Sequence, residues 1–368
     1  MSFGDVALAG GFLESPQHER KYPLTLCFCE SCFALQIKEK VDSETLFRNY
    51  FYFTSTNQTI KNHFTSYIDE VAERFKPKRV IEFGCNDGFI LSKLADKGIE
   101  AIGVDPARNV IESIEDVRVS TVNDFFNERI AERLDQVDMV IANNVFAHIP
   151  DIHGTTKAVK KVLKDDGVFV FEVHYIGDMI EKLQYDWIYH EHLYYYSLLC
   201  LESHFAKYGM TVFDVKHSEI HGGSMRYYVC KDDRTVSKHV LDLRQKEIIS
   251  CLNKVETFEK FAKRVLRHAS DFRDRVNSLT GRVVGYGASG RANALIQYCD
   301  LELDYMVDDA PAKQGKYTPG SHIKIYPRSV MKNDRPDHIV VFAWTFLDEI
   351  RKKCEGHIIT PFEEPCFH

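Results

Sequence analysis

The chain has 368 residues, 44% hydrophobic and 27% charged, an ordinary globular composition long enough for two or three domains. A formal net charge of -7 argues against a general nucleic-acid binder, which needs a basic face for phosphates, and no apolar run is long enough to cross a bilayer. The start, MSFGDVALAGGFLESPQ, lacks a secretion signal, and ten scattered cysteines read as reduced thiols, so a cytoplasmic protein is expected.

Residues 1–60 form a small irregular region rich in Cys, Phe and Tyr. It holds one C-x-x-C knuckle, Cys29-Glu30-Ser31-Cys32. A structural zinc takes four ligands, normally from two such pairs, so Cys29 and Cys32 supply half a metal site. Residues 61–232 alternate helical and strand patterns. A helix over 60–75 stops before Pro77. A strand over 79–83 ends at Gly84, and a helix over 89–97 closes at Gly98. Further strands cover 100–104, 139–142 and 167–173, the last after a helix near 154–164. Short apolar strands alternating with helices predict a parallel, doubly wound α/β sheet. Residues 233–280 read as a helical connector with apolar positions Val240, Leu243, Leu252, Val255, Phe258, Phe261, Val265 and Leu266. From 281 to 368 a second α/β pattern begins, with strands at 283–284, 305–307 and 338–342.

Glu82-Phe83-Gly84-Cys85-Asn86-Asp87-Gly88 lies at a strand-to-helix turn, where small residues let backbone approach a ligand at the carboxyl edge of a sheet. Asp105 ends the next strand, and its carboxylate suits the paired hydroxyls of a ribose. This E-x-G-x-x-x-G loop resembles motif I of class I methyltransferases, which bind S-adenosylmethionine over that turn. Asp124 and Phe125, in Asn123-Asp124-Phe125-Phe126, fall where such enzymes hold the adenine, and Asn143 and Asn144 where they meet the methionine portion. Farther on, Gly285-Tyr286-Gly287-Ala288-Ser289-Gly290 is a literal G-x-G-x-x-G. It suits NAD, a bare packing turn, or a sugar-nucleotide diphosphate at a helix N-terminus aided by Gly287, Lys313, Lys316 and Tyr317. The local pattern leaves all three open.

Tyr189-His190-Glu191-His192 packs aromatic, acidic and imidazole groups just after the fourth strand. The two histidines are too close for a zinc-protease helix. A neutral imidazole beside a Tyr hydroxyl or a protonated carboxyl suits removal of a proton next to a carbonyl. His148, past the third strand, and His221, Ser224 and Arg226, in a glycine-containing turn, are further candidates; Arg226 suits a phosphate or a surface acid.

These residues resemble the sugar C-methyltransferases that act at C3 of nucleoside-diphosphate 4-keto-deoxysugars. The resemblance runs over essentially the whole chain, through Tyr22-Pro23-Leu24 and the Cys29/Cys32 knuckle, Leu46-Phe47, Tyr50-Phe51-Tyr52, the motif I loop, Tyr189-His190-Glu191-His192, Ile220-His221-Gly222-Gly223-Ser224, Gly285–Ala288 and 313–320. It implies a Rossmann-like methyltransferase core between a small zinc-bearing amino-terminal domain and a carboxyl-terminal Rossmann-like domain that binds no dinucleotide. His192 matches the general base, Tyr189 and Glu191 the groups that bind the sugar and steady the enolate, and His148 falls in the same pocket. Tyr52 joins the expected substrate contacts. The resemblance also implies S-adenosylmethionine as methyl donor and a dTDP- or GDP-linked sugar as substrate, in a monomer or dimer without nucleic-acid or membrane partners. Family members carry an earlier C-x-x-C ahead of a segment like 3–9, which puts zinc in this chain in question. Against this reading stand an NAD-dependent oxidoreductase, an O- or N-methyltransferase of a sugar nucleotide, and a non-catalytic sugar-nucleotide binder.

Overall fold

The computed structural model describes residues 1–48 and 53–362, so Tyr52 and its neighbours Tyr50 and Phe51 lie outside the described residues. Three sheets organise the chain. The central one has seven strands in the order Thr211–Ser218, Ser224–Cys230, Leu163–His174, Val137–Asn143, Arg79–Phe83, Glu100–Val104, Ser120–Val122. The last five are mutually parallel, and the inner ones carry the apolar runs expected of strands covered on both faces, while Ser120–Val122 is a largely exposed edge.

The first two strands depart from the expected all-parallel sheet. Ser224–Cys230 runs antiparallel between Leu163–His174 and Thr211–Ser218. Every residue of Ser224–Cys230 is buried, so the segment expected to be a ligand-facing turn is an interior strand.

The helix Gln58–Phe75 covers one face of this sheet. Its start is fixed by the Asn57 side chain, which accepts from the Ile60 amide, and it ends at Lys76 in the left-handed region. Ile60, Phe64, Tyr67, Ile68 and Val71 recur at helical spacing and are the buried face.

The connector is two helices, Lys238–Ile249 and Val255–Asn277. The second buries Phe258, Phe261, Val265, Ala269, Phe272 and Val276 in one stripe, worth on the order of 10 kcal/mol of gross apolar burial. Leu266, expected on that stripe, is instead 57% exposed, because it follows Val265 by one residue and the helix turns it away from the core.

The carboxyl-terminal sheet is parallel, in the order Ile325–Tyr326, Tyr305–Val307, Val283–Tyr286, His338–Val341, His357–Ile359. The amino-terminal region is an antiparallel sheet of Ser2–Ala7, Lys21–Phe28 and Leu35–Ile37, and its fourth strand comes from far along the chain: Tyr194–Tyr195 pairs with Leu35 and Gln36. The segment just after His192 is therefore built into the first sheet. No helix among the described residues is long and apolar enough to cross a membrane.

Candidate active site

A cavity of about 1570 Å³ opens at the carboxyl edge of the central sheet and continues to the loops of the carboxyl-terminal sheet. That exceeds the roughly 300–1,000 Å³ of a single small-molecule site and leaves room for two ligands.

One end is the turn after Arg79–Phe83. Gly84 has φ +67°, and a Cβ there would stand 2.7 Å from the Val145 side chain, so this position requires glycine. Asp105 accepts from the backbone N–H of Ala107 at 2.8 Å and of Asn86 at 3.0 Å, which ties the second strand end to the turn. Burial pushes its carboxyl pKa up. Glu82 is buried and displaced well above the usual carboxylate range, by burial first and then by Asp105 and Asp87. Its Oε2, and both polar side-chain atoms of Asn143, have no partner among the described residues. Buried polar groups without partners are costly, and these three atoms sit where a polar ligand would satisfy them. Phe126 closes this end, stacked on Phe83 with centroids 4.8 Å apart.

The middle of the cavity is the Tyr189–His192 run. His192 Nδ1 lies 2.7 Å from the Trp187 carbonyl oxygen, and its Nε2 lies 3.2 Å from the Tyr189 hydroxyl. A carbonyl only accepts, so Nδ1 carries the proton, Nε2 keeps its lone pair, and Tyr189 donates to it. Burial, opposed by the hydrogen bond to the Trp187 carbonyl and aided by Arg291 and His221, draws the His192 pKa down to about 4. The ring is thus a neutral base with its orientation fixed. The His148 ring lies 4.9 Å from that of His192, and burial holds its pKa well below the usual value. Glu191 is buried against the chain at Gly10, where a Cβ would come within 2.9 Å of its Oε1. His221, at φ +60°, approaches Asn144 at 3.5 Å, and burial pulls its pKa to about 4. His190 does not reach the cavity: its Nε2 donates to the Pro23 carbonyl at 3.0 Å, joining the run to the first sheet.

The far end belongs to the carboxyl-terminal sheet. Gly287 and Lys313 line it, Lys313 being 3.2 Å from Asp308. Gly290 opens the helix Gly290–Cys299, and a Cβ there would stand 3.5 Å from the Tyr189 ring. The third glycine of the G-x-G-x-x-G therefore receives the Tyr189 ring against it.

The structure brings Glu82, Gly84, Asn86, Asp105, Phe125, Asn143, Asn144, His148, Tyr189, Glu191, His192, His221, Gly287 and Lys313 to one cavity. Six other expected contacts do not line it. Gly88, at φ +73°, is the cap of the helix Phe89–Asp96. Asp124 turns to Arg129 and to the Phe125 amide, 2.8 Å away. The Ser224 hydroxyl donates to the Ile220 carbonyl at 3.1 Å. Arg226 is buried, bonded to Glu172 at 2.9 Å and Glu70 at 3.2 Å over the Tyr67 ring, and so has no charge left for a phosphate. Lys316 pairs with Glu14 at 2.6 Å, and the Tyr317 backbone bridges to Leu13 and Lys324.

Two cavity residues went unread in the sequence: Trp187, which stacks on His192 at 5.2 Å, and Arg291. Arg291 directly follows the last glycine of the G-x-G-x-x-G, a position that signals only the start of a helix.

The amino-terminal knuckle has the shape of a metal clip. Phe33 stands at φ +60°, and the backbone N–H of Cys32 holds the Cys29 thiol below its usual pKa, while burial raises that of Cys32. Yet no group of three or more His, Cys, Asp or Glu among the described residues is placed to hold a metal ion. The described residues thus supply two of the four ligands a structural zinc requires and do not complete a site.

Three family models match successive parts of the chain: a zinc binding domain over residues 1–47, a methyltransferase domain over 58–215, and a C-methyltransferase C-terminal domain over 219–360. The C-methyltransferase NovU of Streptomyces niveus is 32% identical over 389 residues, covering 99% of this chain and 93% of its own. A ubiquinone biosynthesis O-methyltransferase of Actinobacillus pleuropneumoniae serotype 5b is 26% identical over 28% of this chain and 49% of its own length. A solved S-adenosylmethionine-dependent methyltransferase of Clostridium acetobutylicum shares 14% identity over 48% of this chain and 93% of its own, with a TM-score of 0.37.

Proposed function

Because the chain belongs to the S-adenosylmethionine-dependent C-methyltransferases, we propose that it methylates C3 of a nucleoside-diphosphate 4-keto-6-deoxysugar through an enolate. The observation that carries this reading is the tautomer of His192. Removing a carbon-bound proton beside a ketone needs a positioned neutral base, and His192 offers Nε2 in the same chamber as the donor cradle.

Glu82, Asp105, Asn143 and the turn at Gly84 would hold the donor. Bound S-adenosylmethionine supplies an electrophilic methyl group and leaves as adenosylhomocysteine. His192 Nε2 takes the proton from the carbon beside the ketone, and the C–H electron pair moves into the carbonyl, whose oxygen becomes the enolate oxygen. Tyr189, Glu191 and His148 surround the sugar, and Tyr189 can pass its donated hydrogen bond from Nε2 to the substrate. Gly287 and Lys313 face the nucleotide end. Positioning of the two carbons is the main catalytic effect.

The test is transfer of labelled methyl to a dTDP-4-keto-6-deoxysugar, followed by product NMR. A new carbon–carbon bond at C3 is expected; a methyl on C5, the other carbon flanking the ketone, would move the site of reaction, and a methyl on oxygen would overturn the enolate. His192→Gln is expected to lose turnover by at least about a hundredfold while still binding adenosylhomocysteine. Tight NADH binding without adenosylhomocysteine binding would favour an oxidoreductase instead.

A further inference from the structure

We propose that Arg291, contributed by the carboxyl-terminal domain, is a further catalytic residue: its free guanidinium edge donates to the substrate carbonyl oxygen as that oxygen becomes an enolate. The proposal rests on the enolate reading above and adds to it the principal source of positive charge.

Arg291 lines the cavity beside Tyr189 and His192. Its orientation is fixed from three sides. Nε and Nη2 donate to Asp186 Oδ2 at 2.8 and 2.6 Å, and the guanidinium lies 4.3 Å from the Trp187 ring centre and 4.7 Å from that of Trp344. Trp344 Nε1 donates to the same Asp186 oxygen at 3.0 Å, so the acceptor is itself held. Among the described residues Nη1 has no hydrogen-bond partner, which leaves two N–H groups for what fills the cavity.

The charge balance says what they suit. Asp186 is buried and already offsets the Arg291 cation. A full anion such as a diphosphate would meet the carboxylate as well as the guanidinium and gain little. A ketone oxygen is neutral in the ground state and gains charge only as the proton leaves. A rigid, partly neutralised donor favours that change over tight ground-state binding. The proton goes to His192 Nε2, the electron pair rests on the oxygen facing Arg291, and it returns to carbon when the new bond forms. The same field keeps the neighbouring imidazoles uncharged: Arg291 adds to burial in lowering His192, His174 and His221.

The experiment is exchange of the carbon-bound proton of a dTDP-4-keto-6-deoxysugar with D2O, followed by NMR without methyl donor, beside steady-state methyl transfer. Arg291→Met is expected to slow both by about 100- to 1,000-fold with the sugar KM within about threefold and adenosylhomocysteine binding intact. Arg291→Lys is expected to recover roughly a tenth of wild-type kcat. Exchange in Arg291→Met within threefold of wild type overturns the proposal, as does a raised KM at unchanged kcat, which would make Arg291 a ground-state anchor. If Arg291→Met does not fold, Arg291→Lys decides: an unchanged kcat overturns, a tenfold loss at constant KM supports. Wild-type enzyme that transfers the methyl to oxygen rather than carbon would sink the enolate reading itself, whatever Arg291 does.

Discussion

His192 is held neutral by what surrounds it, which is what the proposed role as base requires. An imidazole in water is half protonated near pH 6.5, whereas the walls of this cavity draw His192 down to about 4. Burial is the main cause, Arg291 and His221 oppose a further positive charge, and Tyr189 donates to the neutral form. The sign follows directly: the neutral form is lost only as pH falls through the lowered value. kcat/KM is therefore expected to stay level from about pH 7 to about pH 5 and to fall near pH 4. Brief assays at low temperature will show this limb; a limb near 6.5 would mean that another group takes the proton. The misplaced residues teach at the same scale. Arg226 and Lys316 have the chemistry to meet a phosphate, yet each found a carboxylate of its own chain first, and no local pattern around either announces its partner.

The strand-to-helix turn after Arg79–Phe83 is the element on which the proposed donor binding depends. Gly84→Ala would force a Cβ into Val145 at 2.7 Å and into a left-handed backbone, strained by about 1–2 kcal/mol before any clash is relieved. Adenosylhomocysteine affinity is expected to fall at least tenfold by calorimetry while the far-UV spectrum is kept; unchanged affinity would place the donor elsewhere. This turn was legible in the sequence because everything that makes it is local: an apolar run, small residues, then a helix start. The inner parallel strands and the helix Gln58–Phe75 were legible for the same reason; the short edge strands Ser120–Val122, Ile325–Tyr326 and His357–Ile359 were not. The antiparallel strand Ser224–Cys230 was not, since its seven residues, one of them arginine, mix types and are all interior. Nor was the strand Tyr194–Tyr195, whose partner Leu35 lies far back in the chain. Two residues with a long-range partner carry no period to read.

For the molecule as a whole, the buried imidazoles make acid the weak side. His192, His204 and His221 are each drawn to about 4 by burial, so between that value and 6.5 the unfolded chain binds protons that the folded chain refuses. Stability contributed by these groups is full above pH 6.5 and drains away as pH falls. Glu247 works in the opposite direction: burial raises it to about 7, so its contribution is lost as pH rises from about 4.5. Glu82 and Asp105, also raised by burial, act with Glu247, but the six histidines lowered by burial (His148, His174, His190, His192, His204 and His221) outweigh these three carboxyls, and the thermal midpoint is expected to drop from pH 7 to pH 4.5. A midpoint that holds constant over that range would contradict the buried imidazoles.

The catalytic run carries a consequence for descent. Its tail completes the first sheet at Leu35, His190 bonds to Pro23, Tyr189 rests at Gly290, and Asp186 clasps Arg291. The three thirds of the chain are therefore expected to be inherited together. A recombinant that drew its last third from a distant lineage would exchange the support of Tyr189 and the partner of Asp186 in one crossover. New substrates in such a lineage arise by gradual change around a shared joint, and exchange of whole modules succeeds only between near kin.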